Sequence, residues 1–150
     1  MEINIWCDGG CRGNAKDENI GGYGVVLKYG EHKKELYAGE RNTTNNIQEL
    51  KGAIVALESI NTVHLPIRLH CDSAYVVNGV NQWITGWKRN GWKKKGGEIK
   101  NLELWKRLDK LVSKQMDIQF IKVKGHSDNE GNNRADELAN KGMDEVEAMQ

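Results

Sequence analysis

The chain has one proline, three cysteines and no long apolar run, and its charges nearly cancel. Each shortage excludes something. The longest uninterrupted apolar stretch, Ala53-Ile54-Val55-Ala56-Leu57, falls far short of the roughly 20 residues needed to span a bilayer, so no membrane partner is expected. Met1-Glu2-Ile3-Asn4 shows neither a basic nor an apolar leader segment, which makes the cytoplasm the expected compartment. Cys7, Cys11 and Cys71 are an odd count that makes no disulfide framework, and their spacing fits no zinc finger or knuckle. The lone Pro66 opens an apolar run instead of interrupting one, an allowed position for a strand.

What is present suits one folded domain covering 1–150. At 150 residues, 38% hydrophobic and 29% charged, the chain can bury a core, and it shows no repeat, linker or low-complexity tract. The net charge of +1 hides an uneven distribution. Between Trp83 and Arg107, eight basic residues face only Glu98 and Glu103, whereas seven acids after Ser127 face only Arg134 and Lys141. A basic stripe sets the field near itself, so a nearly neutral chain can still bind a polyanion. A monomer is expected.

Alternation predicts strands at 2–8, 25–29, 34–39, 67–72 and 117–124. Helical spacing covers 45–60, where Ile47, Leu50, Ile54 and Leu57 share a stripe and Asn45 with Gln48 suggests an N-cap pattern. Short helical pieces are expected at 73–80 and 82–87, an amphipathic helix at 101–114, and a last helix at 134–147 after a polar loop. Strands followed by alternating helix and strand argue an α/β fold, a mixed sheet flanked by helices.

Four carboxylates stand out. Asp8 ends the first apolar run and is followed by Gly9-Gly10; Asp72 ends the run Ile67-Arg68-Leu69-His70-Cys71. Glu49 lies in the first turn of the predicted 45–60 helix, and Asp136 follows the polar loop carrying His126. Strand neighbours point to opposite faces, so Cys7 and Cys71 are expected on the apolar side and the acids beside them outside. Open α/β sheets place ligands at the carboxyl ends of their strands. Any one of these acids alone reads as a turn residue or helix cap. Gathered by the fold, the four could not all stay ionised without a counter-charge, which hard divalent cations with oxygen ligands supply. The pattern points to metal-assisted phosphoryl chemistry.

Asp8-Gly9-Gly10-Cys11-Arg12-Gly13-Asn14, Gly21-Gly22-Tyr23-Gly24, and Thr43-Thr44-Asn45-Asn46 with Glu49 resemble type 1 ribonuclease H. So do Asp72-Ser73, the tryptophan-rich segment from Gln82 to Trp92, Val123-Lys124-Gly125-His126 and Asn133-Arg134-Ala135-Asp136-Glu137-Leu138-Ala139. The match runs in order over about residues 2–142, and the basic insert is similar to the handle of bacterial members.

The resemblance implies a ribonuclease H-like fold, a five-stranded mixed sheet of order 3-2-1-4-5 with helices on both faces. It implies endonucleolytic cleavage of the RNA strand of an RNA–DNA hybrid, leaving 5′-phosphate and 3′-hydroxyl ends. Asp8, Glu49, Asp72 and Asp136 would hold two Mg²⁺ ions, with Mn²⁺ an alternative, and His126 would carry a proton or help product leave. Cys11, Asn14, Thr44, Asn45 and Asn46 match positions that contact the hybrid. Trp83, Trp87, Trp92, Lys88, Lys93, Lys94 and Lys95 would form the basic, aromatic surface along the DNA strand, with Trp83 and Trp105 expected in part to fill a small apolar sub-core beneath it. Ala74 departs from a glutamine common in the family. Asn42 and Gly86 fall where some members place arginine and asparagine around a DNA phosphate.

Other readings explain less. Gly9-Gly10 and Gly13 are not followed by the Gly-Lys-Ser/Thr of a phosphate loop. A hybrid-binding module without catalysis would have no need for four repelling acids. Integrases and resolvases share the implied fold but lack the handle and the Val-Lys-Gly-His loop.

Overall fold

The computed structural model describes residues 1–13, 19–124 and 129–149. Five strands, β1 (Ile3–Arg12), β2 (Ile20–Tyr29), β3 (His32–Arg41), β4 (Ile67–Cys71) and β5 (Ile118–Lys122), form one sheet in the order β3-β2-β1-β4-β5. The first three are antiparallel neighbours; β4 runs parallel to β1, and β5 parallel to β4. This is the mixed sheet and order that the resemblance implied.

The helices are α1 (Asn45–Glu58), α2 (Ala74–Asn78), α3 (Ile84–Arg89), α4 (Leu102–Ser113) and α5 (Glu130–Ala148). A π-helical turn, Gly79–Trp83, joins α2 to α3, so the two short pieces expected there form one continuous helical path. Helix α1 packs on β1, β2 and α4, while α5 crosses β1, β2 and β3. The alternation of β2 shows that these are opposite faces: Tyr23 meets α1 at Gly52, and Gly24 lies against Ala135 of α5. A Cβ at Gly24 would overlap the Ala135 carbonyl oxygen, so helix and sheet approach this closely only because the side chain is missing.

Between the sheet and α1 lies the main core, with Ile5, Leu50, Ile54, Leu57, Ile67 and Leu69 all fully or almost fully buried. Truncating one of these to alanine costs about 2–5 kcal/mol. Trp105 and Leu108 of α4 extend that core. Among the described residues no helix is long and apolar enough to cross a membrane.

Several boundaries differ from the sequence expectation. β1 does not stop at Asp8 but continues to Arg12, because Gly9-Gly10-Cys11-Arg12 pairs along β2 from Tyr23 back to Ile20. β2 correspondingly starts at Ile20, five residues before Val25. The cap of α1 is Thr44, whose hydroxyl accepts from Ile47 N at 3.1 Å, not Asn45. Helix α5 starts at Glu130, four residues early, capped by Asn129 through Asn132 N at 3.0 Å. Asn42, between β3 and α1, adopts a left-handed conformation (φ 56°), which asparagine tolerates better than most residues.

Candidate active site

Parallel pairing sets Cys7 of β1 beside Cys71 of β4, and the residues that follow are Asp8 and Asp72. Both thiols are fully buried. Asp8 belongs to the opposite face and is also largely buried, with 8% of its surface exposed, so the expectation of an outward-facing acid is corrected there. Asp72 is half-buried just beyond β4. Glu49 opens the second turn of α1, not the first, and is 8% exposed. Asp136 lies in the second turn of α5, within hydrogen-bonding reach of Asp8. The four acids, with Asn45 and Asn46, line a single cleft of about 380 Å³.

Gly9 makes the approach of α1 possible. A Cβ there would run into the backbone of Gln48 and Glu49 at 2.6–2.8 Å, so any side chain would push α1, and Glu49 with it, away from β1. Behind the cleft, Gln48 is fully buried and donates through Nε2 to Thr43 Oγ1 at 2.8 Å. Asn19 fixes the same segment, accepting from Thr43 N at 2.9 Å and donating to Thr43 O at 2.7 Å.

Crowded, poorly solvated acids resist ionisation. Burial, then the charge of Asp72, then the hydrogen bond and charge of Asp136 push Asp8 up to about 8, against the pull of the Gly9 N–H at 2.9 Å. Glu49 is also raised, first by burial and then by Cys71, Asp8 and Asp72, although the Ser73 hydroxyl favours its ionised form. Glu49 Oε1 is buried with no hydrogen-bond partner. Among the described residues lining the cleft there is no lysine or arginine to neutralise these acids. An unsatisfied carboxylate oxygen in a cluster of repelling carboxylates fits a divalent cation with a preference for oxygen.

The other expected residues are distributed unevenly. Thr44 is exposed and caps α1 just outside the cleft lining, and Cys11 sits half-buried on β1. Trp83 and Trp87 pack with fully buried Trp105, at ring centroid separations of 6.3 and 5.5 Å, so much of each belongs to a local aromatic core. Their remaining edges, with Lys94, Tyr75, Ile99 and Lys100, line a separate hollow of about 300 Å³. Trp92 is half-buried beneath Lys106, whose Nζ is 6.0 Å from the ring centroid. Lys88 pairs with Asp109 at 3.3 Å, whereas Lys93, Lys94 and Lys95 are exposed. Asn14 and His126 lie outside the described residues.

Sequence reading passed over three cleft residues: Ser73, Asn132 and Asn133. Ser73 caps α2, accepting from Val76 N at 3.2 Å, while its hydroxyl serves Glu49. Its position next to Asp72 was the available signal. Asn132 and Asn133 read as loop residues until Asn129 is recognised as the cap that starts α5.

Acids gathered where the parallel pairing of β1 and β4 ends in a mixed sheet, in a cleft open to solvent, define a class: α/β nucleases that work with divalent metal. Comparison with known proteins narrows this. The RNase H family model matches residues 1–144. The chain is 53% identical over 146 residues to a ribonuclease H of Clostridium botulinum (strain Hall), covering 96% of this chain and 97% of that one. The crystal structure of LC9-RNase H1, a type 1 RNase H with the type 2 active-site motif, superposes with a TM-score of 0.85 at 29% identity, over 95% of this chain and 72% of that one. LC11-RNase H1, solved in complex with an RNA/DNA hybrid, shares the fold at a TM-score of 0.70 and 24% identity, over 97% and 99% of the two chains. The chain belongs to the ribonuclease H family, metal-dependent nucleases that cleave the RNA strand of RNA–DNA hybrids.

Proposed function

We propose that Asp8, Glu49, Asp72 and Asp136 hold the divalent ions of this reaction, two in the catalytic complex, with Mg²⁺ the working ion and Mn²⁺ able to replace it. The observation that carries the reading is the cleft itself: four acids, one with an unpartnered buried oxygen, and no described cation among them. When bound there, such ions supply a water nucleophile at neutral pH and stabilise charge in an in-line displacement at phosphorus. Cleavage leaves 5′-phosphate and 3′-hydroxyl ends.

The chain's own residues bind and orient the hybrid. Asn45 and Asn46, exposed at the start of α1 and on the rim of the cleft, offer amide groups to 2′-hydroxyls in the shallow minor groove. Thr44, Cys11 and Asn14 extend that contact along the backbone. Lys93, Lys94 and Lys95 neutralise phosphates of the DNA strand, with Lys88 able to exchange its surface pairing to Asp109 at little cost. Trp83, Trp87 and Trp92 stiffen the segment that carries these lysines and present their open edges to sugars. His126 carries a proton or eases product release. The chain acts as one domain, 1–150, a monomer in the cytoplasm.

Incubation with labelled RNA–DNA hybrid, RNA duplex and DNA duplex, each with Mg²⁺ or EDTA, tests this directly. Mg²⁺-dependent cutting of only the RNA strand of the hybrid is expected. Binding without cleavage, or equal cutting of the DNA duplex, would remove the proposal.

A further inference from the structure

Cys71 has a second setting besides the core. On the α1 side of the sheet it stands beside Cys7, its register partner on β1, and both thiols are fully buried. Its Sγ also accepts from Ser73 N at 3.4 Å. The same sulfur forms a cluster with a carboxylate oxygen of Glu49 and one of Asp72, all three donor atoms within 4.8 Å of one another. Glu49 Oε1, buried and unpartnered, belongs to this cluster's residue set. One sulfur and two carboxylate oxygens are a different donor set from the all-oxygen one. Mg²⁺ gains nothing from sulfur, whereas zinc and cadmium bind thiolate strongly.

We infer that Glu49, Cys71 and Asp72 form a site for a thiophilic divalent cation such as Zn²⁺ or Cd²⁺, exclusive of the hard-ion arrangement because both use Glu49 and Asp72. Ligands at about 2.0–2.3 Å from zinc stand roughly 3.5 Å apart in a tetrahedron, so donors within 4.8 Å of one another need close in by no more than about an ångström on binding. The ion enters through the cleft, which Glu49 and Asp72 line. Ligation replaces the S–H bond of Cys71 by an S–metal bond, and the proton leaves to solvent. Cys7 lies behind Cys71 as a further sulfur. The site rests on the sulfur and its neighbours; only its consequence, that such an ion opposes cleavage, rests on the function proposed above.

Titration of the full chain with Cd²⁺ tests this through the thiolate-to-metal charge-transfer band in the ultraviolet. One equivalent should saturate the band, Cys71→Ser should abolish it, and Cys11→Ser should keep it. Zn²⁺ affinity, measured by competition with a chromophoric chelator, should fall in Cys71→Ser by more than the roughly 10–100-fold that loss of an outer-sphere partner costs. Should Cys71→Ser fail to fold, ¹¹³Cd NMR of the unsubstituted chain decides: a resonance displaced downfield by sulfur supports the site, and one in the all-oxygen range overturns it. A band that survives Cys71→Ser, or none in the parent, also overturns it. Failure of the two readings is separable. A missing band beside normal Mg²⁺-dependent cleavage defeats this inference alone, and an intact band without cleavage defeats the functional proposal alone.

Discussion

The acid cleft and the basic segment are built to different tolerances. Around the cleft, backbone touches backbone: Gly9 lies against Gln48 and Glu49, and Gly24, the strand partner of Asp8, lies against Ala135 of the helix that carries Asp136. In the basic segment, Gly86, Gly91, Gly96 and Gly97 have nothing within 4 Å of where a Cβ would stand, and Gly91, Gly96 and Gly97 have positive φ. The contrast fits the tasks proposed for the two regions. Coordinating oxygens must converge within tenths of an ångström, which demands a rigid scaffold. Attraction between lysines and phosphates falls off slowly over a Debye length and accepts loose placement.

The largest effect expected is at the cleft. Asp8→Asn or Asp72→Asn keeps shape but removes a charge that a hard cation needs, so hybrid cleavage with Mg²⁺ should fall to background while hybrid binding persists. A gel-shift measurement beside the cleavage assay separates the two. Near-normal cleavage in either variant would take that residue out of the metal set.

A pair of glycine substitutions compares the two regions by stability alone. Gly24→Ala forces β2 and α5 apart and should cost about 1–3 kcal/mol or more. Gly86→Ala adds a methyl in open space inside α3 and should stabilise by about 0.5–1 kcal/mol. Urea denaturation of both gives the answer, and equal effects of the same sign would erase the distinction drawn between cleft and basic segment.

These positions also explain what the sequence made legible. The four acids could be picked out because each follows or opens a strong local pattern, and the parallel pairing of β1 with β4 then had to bring Asp8 and Asp72 together. The glycines misled for a physical reason. Gly9-Gly10 and Gly21-Gly22 interrupt the apolar alternation that set the expected strands at 2–8 and 25–29, yet they lie inside strands, and at Gly9 the missing side chain answers to a helix distant in sequence. Thr44 and Asn129 were likewise hidden, since an adjacent asparagine or a polar loop offers equally good caps until tertiary packing chooses. The tryptophans are a third case: composition cannot tell a ring edge open to solvent from one stacked on Trp105.

Acidity gives a further, smaller test of the cleft. Asp8 sits at about 8 in the fold against an ordinary 3.8, so between those values the folded chain holds more protons than the unfolded one. Its stabilising contribution is complete below about 3.8 and is lost as pH rises through about 8. Glu35, drawn down to about 2 by its hydrogen bond with Arg134, acts in the opposite sense but only below its ordinary 4.5. In EDTA, the melting temperature should therefore decline from pH 5 to pH 8 more steeply in the parent than in Asp8→Asn. Added Mg²⁺ should recover the parent near pH 8, because an ion bound only by the folded state stabilises it. Parallel pH profiles for parent and Asp8→Asn would mean that the acids are not crowded enough to matter.

The smallest effect belongs to the basic segment, and its form matters more than its size. Lys93, Lys94 and Lys95 are exposed beside the positive-φ residues Trp92, Gly96 and Gly97. Replacing all three by alanine removes charge without touching the core. Each lost phosphate contact lowers the log–log salt slope of binding by about 0.9 on B-DNA, with a similar order expected for a hybrid. Hybrid affinity should weaken at low salt and converge on the parent's as salt rises. Since none of the three lines the cleft, the rate at saturating hybrid should hold while KM rises, the pattern of binding lost equally from ground and transition states. A fall in kcat with KM unchanged would mean that the lysines help position the scissile phosphate, and the separation between a rigid cleft and a loosely placed electrostatic arm would have to be given up. Unchanged KM, kcat and salt slope would leave them a solvated face with no part in binding.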